Sequence, residues 1–282
     1  MSASLYVVST PIGNLDDITL RAIKILTAVG LIAAEDTRRT AILLRHFGIS
    51  TPVTSLHEHN ERQKLPRLLE RLLAGTDVAL VSDAGTPVVS DPGQRLIAAA
   101  IEKRIPIVPI PGASAVLAAL AVSGLPADEF VFAGFAPSKS TDRSKWLHRL
   151  ATETRPIVFF ETPHRIRKTL AALPLVMGTR PITIARELTK IHEETIRTTT
   201  VGAESLNITA RGEFTIVLGP QMTDPNPLQV IANKDIAEYF CQLTKHGEIL
   251  RRPAVRQTAQ YFGLSTKSVY LTLERLKSGP LP

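Results

Sequence analysis

The chain has 282 residues, 44% of them apolar and 21% charged, which excludes dominant disorder and leaves length for two to three ordinary domains. A single cysteine, Cys241, excludes an internal disulfide framework and a cysteine-cluster metal site, and no apolar run approaches the length that spans a bilayer. Lys and Arg number 33 against 26 Asp and Glu, a net charge of +7, an excess that favours a polyanionic partner such as nucleic acid.

Taken in chain order, Met1–Leu5 shows no charged segment ahead of a long apolar core, so the expected location is the cytoplasm. Leu5–Ser9 reads as a strand. Ile18–Val29 carries apolar residues at helical spacing and ends at Gly30. Leu31–Ala34 reads as a strand and Thr37–Phe47 as a helix closed by Gly48. Arg62–Ala74 is a predicted helix with Leu65, Leu68, Leu69 and Leu72 on one face. Asp77–Ser82 is a predicted buried strand, followed by helix Gln94–Lys103, strand Ile105–Ile110 and helix Ser114–Val122. Alternation of this kind with short connections implies a mostly parallel sheet under helices on both faces.

After Ser123–Pro126 a second series opens with strand Phe130–Gly134, helix Asp142–Leu150 and strand Ile157–Phe160. Thr162 at the N-cap and Pro163 at the first helical position predict a helix start. Ile182–Arg186, Glu194–Thr200 and Glu213–Leu218 read as strands. Pro220, Pro225 and Pro227 among polar residues mark a linker. Residues 234–282 hold eight Lys/Arg and four Asp/Glu, a net +4, against a net +3 for the 233 residues before them. The expected organisation is an α/β domain over 1–122, a second over 123–220, a linker over 221–233 and a helical tail over 234–282. In the tail, Ala259, Gly263 and Val269 match helix-turn-helix spacing; a three-helix bundle packed on a partner subunit fits the same residues.

Ligands of open parallel sheets bind at the carboxyl ends of the strands, and four segments fall there: Ser9–Asp17, Ser82–Gly93, Pro109–Ala115 and Phe159–Arg165. Residues 83–93 carry Asp83 and Asp91 and no basic residue, and the chain lacks both G-x-x-x-x-G-K-[ST] and a G-x-G-x-x-G after its first strand. Nucleoside triphosphates and dinucleotides therefore fit poorly. Small residues at Ala84, Gly85, Gly112, Ala113 and Ser114 permit close backbone approach, and carboxylates tolerate positive charge. S-adenosylmethionine, with an adenosine, an amino acid and a cationic sulfur, has the matching chemistry; tight turns that merely close βα connections are the plainer alternative.

Six stretches in order carry a resemblance: Leu5–Leu15, Ala34–Arg38, Leu80–Pro87, Pro111–Ala115, Phe159–Arg165 and Ala185–Lys190. Over residues 5–219 the chain resembles the ribosomal RNA small subunit methyltransferase I family, a branch of the tetrapyrrole-methylase-like class III methyltransferases. The resemblance implies two α/β domains with the cofactor in the cleft between them, and a homodimer; with the small helical C-terminal domain read from the tail, that is the expected architecture. The resemblance also implies S-adenosylmethionine-dependent 2′-O-methylation of a cytidine in the decoding centre of 16S rRNA, in the small ribosomal subunit; the helical tail over 234–282 lies beyond the stretch that carries the resemblance. Carried over by position, Pro11 and Gly13 form the first cofactor loop. Asp83, Ala84, Gly85, Thr86 and Pro87, with Ser90, form the second, where tetrapyrrole methylases carry a Gly-Gly-Asp-Pro type sequence. Gly112, Ala113, Ser114 and Ala115 form the third, and Phe160 and Glu161 approach from the second domain.

Candidates for a general base are Glu35, Asp36, His57 with its neighbours Glu58 and His59, Glu161 and Glu187. His57 and His59 lack a third ligand of compelling spacing, so no metal site is expected. Candidate RNA contacts are Arg38 and Arg39 on one helix, Arg143 and Lys145 on another, and Arg165 at the start of a third. Competing readings are a small-molecule methyltransferase of the tetrapyrrole type and a metabolite-sensing DNA-binding regulator.

Overall fold

A computed structural model describes residues 3–220, 233–244, 250–261 and 266–277. The chain forms two compact units, Met1–Gln221 and Met222–Pro282.

The first unit holds two five-stranded sheets. Elements run β1 Leu5–Val8, α1 Leu20–Ala28, β2 Leu31–Ala34, α2 Thr37–His46, β3 Val53–Ser55, α3 Glu61–Leu73, β4 Val78–Val81, α4 Gln94–Glu102, β5 Ile107–Ile110 and α5 Ala115–Ser123. The first sheet has the order β3-β2-β4-β1-β5 and is parallel throughout. Helices cover both its faces, which is why β2 and β4 are buried end to end and read as unbroken apolar runs. β3 is a three-residue edge strand too short to register in the sequence pattern. α1 begins at Leu20 rather than at Ile18, because the Thr19 hydroxyl caps it by accepting the Ala22 N–H.

The second series runs β6 Val131–Phe135, α6 Ser140–Ala151, β7 Ile157–Glu161, α7 Ile166–Met177, β8 Pro181–Arg186, β9 Glu194–Thr199, α8 Thr200–Glu204 and β10 Phe214–Leu218. Its sheet has the order β6-β7-β10-β8-β9 and is mixed: only β6 and β7 run parallel. One face packs on α6, α7 and α8 around Trp146, Leu147, Leu150, Leu170 and Ala203. The other takes α5, whose Val116, Ala119 and Leu120 lie against Val158, Ala185 and Val217. α5 follows the last strand of the first sheet but is buried on the second, so it ties the two together. The helix expected from Thr162 begins instead at Ile166. Thr162 accepts N–H groups of Arg165 and Ile166 on its carbonyl, and its own N–H goes to Glu161, which holds 162–165 in a turn.

The second unit is a three-helix assembly of α9 Asn233–Thr244, α10 Arg251–Tyr261 and α11 Thr266–Lys277. Ile236, Val255, Ala259, Val269 and Leu273 form its core. Ala259 and Val269 are thus buried at the spacing read from the sequence, while Gly263 and linker residues 221–232 lie outside the described residues.

Candidate functional site

Parallel strand order brings the loops after β1, β2, β4 and β5 to one edge of the first sheet. The loops after β1 and β4 are stitched together: Thr10 N–H donates to the Gly85 carbonyl and Gly85 N–H to the Thr10 carbonyl, both at 2.9 Å. The Thr10 hydroxyl donates to the Ser82 carbonyl, and the Ser9 and Thr86 hydroxyls lie 3.2 Å apart. In the second sheet, antiparallel pairing sets Phe214 opposite Glu161, so the end of β7 and the start of β10 meet at one edge.

These edges enclose a cavity of about 360 Å³. From the first sheet it takes Glu35, Asp83, Ala84, Gly85, Thr86, Ser90, Asp91, Ser114 and Ala115; from the second, Phe135, Phe160, Glu161 and Glu213–Thr215. Phe160 touches Phe135 and Phe132 with ring centroids 5.2 and 5.1 Å apart, an aromatic wall on one side. The loop over the cavity is bent: Gly85, Val88 and Ser90 all have φ between 70° and 76°. Val88, β-branched, is unusual there, the kind of backbone strain that collects at ligand sites.

The cavity is acidic on the first-sheet side. Burial raises the Glu35 carboxyl, opposed by the N–H that Asp83 donates to it. Burial likewise pushes Asp91 up to about 6, against a hydrogen bond with Ser82. Asp83 accepts the Asp36 N–H at 2.9 Å and faces Arg39 Nε at 3.6 Å. Arg39, from α2, is the one basic side chain on the lining among the described residues. It is among the expected RNA contacts, and it stands at the cavity. Asp91, named with Asp83 as an acid of its loop, is not among the candidate site residues; a carboxylate in a loop without cations, directly after a buried strand, is the signal that points to it.

Several candidates fall elsewhere. Pro11 lines a neighbouring recess. Gly13 packs under Thr189 and Lys190, where a Cβ would lie 2.4 Å from Lys190 Cγ. Gly112 packs on Ser9, and the Ala113 carbonyl accepts from the Thr86 hydroxyl at 3.5 Å, so both support the cavity without lining it. Pro87 is not on the lining.

Among base candidates, Asp36 caps α2 and is held well below the usual carboxylate range by hydrogen bonds from Arg38. His57 lies off the cavity, its carbonyl accepting N–H groups of Asn60 and Glu61 in the turn before α3. Glu187 also lies off it, engaged by Lys190 Nζ at 2.8 Å and the Glu213 N–H at 3.0 Å. Glu161 reaches the cavity, but its buried carboxylate already accepts from Thr162 N–H, Arg165 Nε and the Thr169 hydroxyl.

Of the candidate RNA contacts, Arg38 and Lys145 are exposed. Arg143 is buried and donates to the Pro137 and Ser138 carbonyls, and Arg165 is tied to Glu161. Arg143 shares a helical face with Trp146, Leu147 and Leu150, so its spacing alone pointed inward. No group of three His, Cys, Asp or Glu that could hold a metal occurs among the described residues.

Residues 4–203 match the family of Tetrapyrrole (Corrin/Porphyrin) Methylases. A ribosomal RNA small subunit methyltransferase I of Synechocystis sp. is 46% identical over 274 residues, covering 96% of this chain and 97% of that protein. The fold is similar to that of a diphthine synthase, with a TM-score of 0.62, 16% identity, and 77% and 90% of the two chains covered. It is also similar to a uroporphyrin-III C-methyltransferase from Thermus thermophilus complexed with S-adenosyl homocysteine, with a TM-score of 0.55, 17% identity, and 77% and 97% covered.

Proposed function

Because the chain belongs to the ribosomal RNA small subunit methyltransferase I family, within the tetrapyrrole (corrin/porphyrin) methylases, we propose that it methylates the 2′-oxygen of a cytidine in the decoding centre of 16S rRNA from S-adenosylmethionine. One observation carries this reading: the carboxyl-end loops of a parallel sheet close on a second sheet around a cavity whose acidic wall suits a cation and whose small residues admit backbone contact. When bound, S-adenosylmethionine supplies an electrophilic methyl group. Ala84, Gly85, Thr86, Ser114 and Ala115 would hold it at the first sheet, and Phe160 at the second. Glu35 and Asp91 would balance its sulfonium charge.

A ribose hydroxyl must lose a proton as it attacks, and a positioned base contributes roughly 10²–10⁴-fold. Asp91 and Glu35 line the cavity with carboxyls that burial raises, and we assign the base to this pair. Orientation across the cavity supplies the rest of the acceleration. Lys145 and Arg38, both exposed, would meet phosphates, Arg38 by giving up its Asp36 partner. The reading includes a homodimer acting on the small ribosomal subunit in the cytoplasm.

The test is tritium transfer from labelled S-adenosylmethionine to 16S rRNA, free or in small subunits, from a strain lacking the modification. The expected outcome is label on a single ribose that resists alkaline cleavage at its 3′ side. Label on a porphyrin precursor and none on RNA would replace this reading with small-molecule methylation. Sequence-specific DNA binding without any transfer would favour the regulator. A monomer in sedimentation equilibrium would remove the dimer.

A further inference from the structure

Beside the main cavity lies a recess of about 120 Å³. Pro11, Leu15, Ile42 and Leu43 give it apolar flanks, and Arg39 and Asp83 stand on the side it shares with the larger cavity. The two oxygens of Asp83 do different things. Oδ1 accepts the Asp36 N–H at 2.9 Å, which fixes the carboxylate's orientation. Oδ2 faces Arg39 Nε at 3.6 Å, too far for a hydrogen bond. An acceptor and a guanidinium donor therefore sit side by side, each able to serve a ligand.

Cytosine presents the complement: an exocyclic amine that donates, next to ring N3 and O2 that accept. Carboxylates read that amine in nucleic-acid recognition. Uracil would instead turn its O4 toward the carboxylate, and a purine brings a second ring to a recess a third the size of its neighbour. We propose that this recess seats a cytosine base extruded from the RNA, with Asp83 accepting from its amine and Arg39 donating to its ring acceptors. The shared wall then sets the attached ribose toward the larger cavity. This inference rests on the RNA methyl-transfer reading and adds the residues that select the base.

Two variants of the full chain test it. Ile42→Trp fills the recess from its rim, where Ile42 is 60% exposed and off the larger cavity. Asp83→Asn keeps an oxygen for the Asp36 N–H and turns the other position into a donor, which suits uracil. The measurements are S-adenosylmethionine affinity by calorimetry and tritium transfer to 16S rRNA carrying cytidine or uridine at the target position. Ile42→Trp is expected to hold cofactor affinity within about threefold while transfer falls by about 100-fold. Asp83→Asn is expected to raise the uridine-to-cytidine labelling ratio by about tenfold, a change that a merely structural defect would not produce. Wild-type transfer by Ile42→Trp, its loss of cofactor affinity, or an unchanged ratio in Asp83→Asn would overturn the recess as base seat. Wild-type protein that labels no RNA ribose would overturn the methyl-transfer reading itself, and this inference with it; labelling by wild type with unaffected variants removes the recess alone.

Discussion

Asp91 lies in the loop after β4, where burial pushes its carboxyl up to about 6 while a hydrogen bond with Ser82 holds it down and the charges of Glu35 and Asp83 raise it further. A sulfonium in the cavity favours the carboxylate over the acid, so binding releases a proton. Cofactor affinity is then weakest below about pH 6, rises as pH passes through that value, and levels off above it. Calorimetry between about pH 5 and 8 should show this rise for S-adenosylmethionine, a smaller one for S-adenosylhomocysteine, which lacks the sulfonium, and a flatter profile in Asp91→Asn. Equal slopes for the two ligands would refute the acidic wall as a charge partner. Gly85 offers a second check. Its φ of 76° is strained for any side chain, although a Cβ would find ordinary space beside Ile12 and the Ala113 carbonyl. Gly85→Val should cost about 1–3 kcal/mol through backbone conformation and weaken cofactor binding, with Gly85→Ala milder on both counts; an unchanged Tm and affinity for the valine variant would contradict this. Much of the cavity was legible because its loops are short and chemically odd: Asp83–Thr86, Ser114, Ala115, Phe160 and Glu161 all line it. Residue type alone could not separate Glu161, whose carboxylate accepts from Thr162, Arg165 and Thr169 within eight residues of it, from Asp91, which burial in the folded loop pushes up, since that difference lies in burial and side-chain geometry.

At the scale of elements, Glu187 belongs to the connection between β8 and β9, residues 187–193, rather than to the chemistry. Glu187 and Thr189 adopt φ of 50° and 68°. The turn is held because the Glu187 carboxylate accepts from Lys190 Nζ and the Glu213 N–H, and Lys190 also reaches the Glu213 carboxylate at 3.0 Å. The Thr189 hydroxyl accepts the Asn14 N–H at 3.0 Å, so this turn also braces the first loop of the other sheet. The hydrogen bond from Lys190 lowers the Glu187 pKa in the folded state. Its contribution is therefore present above the unfolded carboxylate value and is lost as pH falls through the folded one. Glu187→Gln should lower Tm at neutral pH by the equivalent of about 1–3 kcal/mol, or ~2–4 °C for each kcal/mol in a unit of this size. The gap from wild type should close as pH falls below about 4, and the pH profile of methyl transfer should stay that of the wild type. Loss of the acid-side limb of that profile would restore Glu187 as the base. The same turn explains what the sequence hid about the second sheet. Apolar runs mark strands but not their direction; only the brevity of 187–193, too short for a crossover, announces an antiparallel pair. In the first sheet every strand is followed by a helix-length segment or a long loop, and the parallel order was readable.

Over the whole molecule, charge is unevenly placed: residues 234–282 carry a net +4 of the total +7. The three helices there bury an apolar core and leave Arg252 and Arg256, one turn apart on α10, exposed. Two readings of this unit remain, an RNA contact and a bundle that packs on a second subunit, and they predict different responses to salt. Each phosphate neutralised contributes a slope of roughly 0.7–0.9 to the fall of log affinity with log salt concentration. If α10 meets RNA, replacing Arg252 and Arg256 together by alanine should reduce the slope for 16S rRNA binding by about 1.4–1.8 and weaken binding most at low salt. Affinity for S-adenosylmethionine should not move, because its cavity is built from the other unit. Filter binding across a salt series on the full chain reads the first quantity and calorimetry the second. An unchanged slope with a shift toward monomer in sedimentation would assign the basic helices to subunit packing instead. The RNA would then be held by the first unit alone, and the salt slope of wild-type binding should survive loss of both arginines.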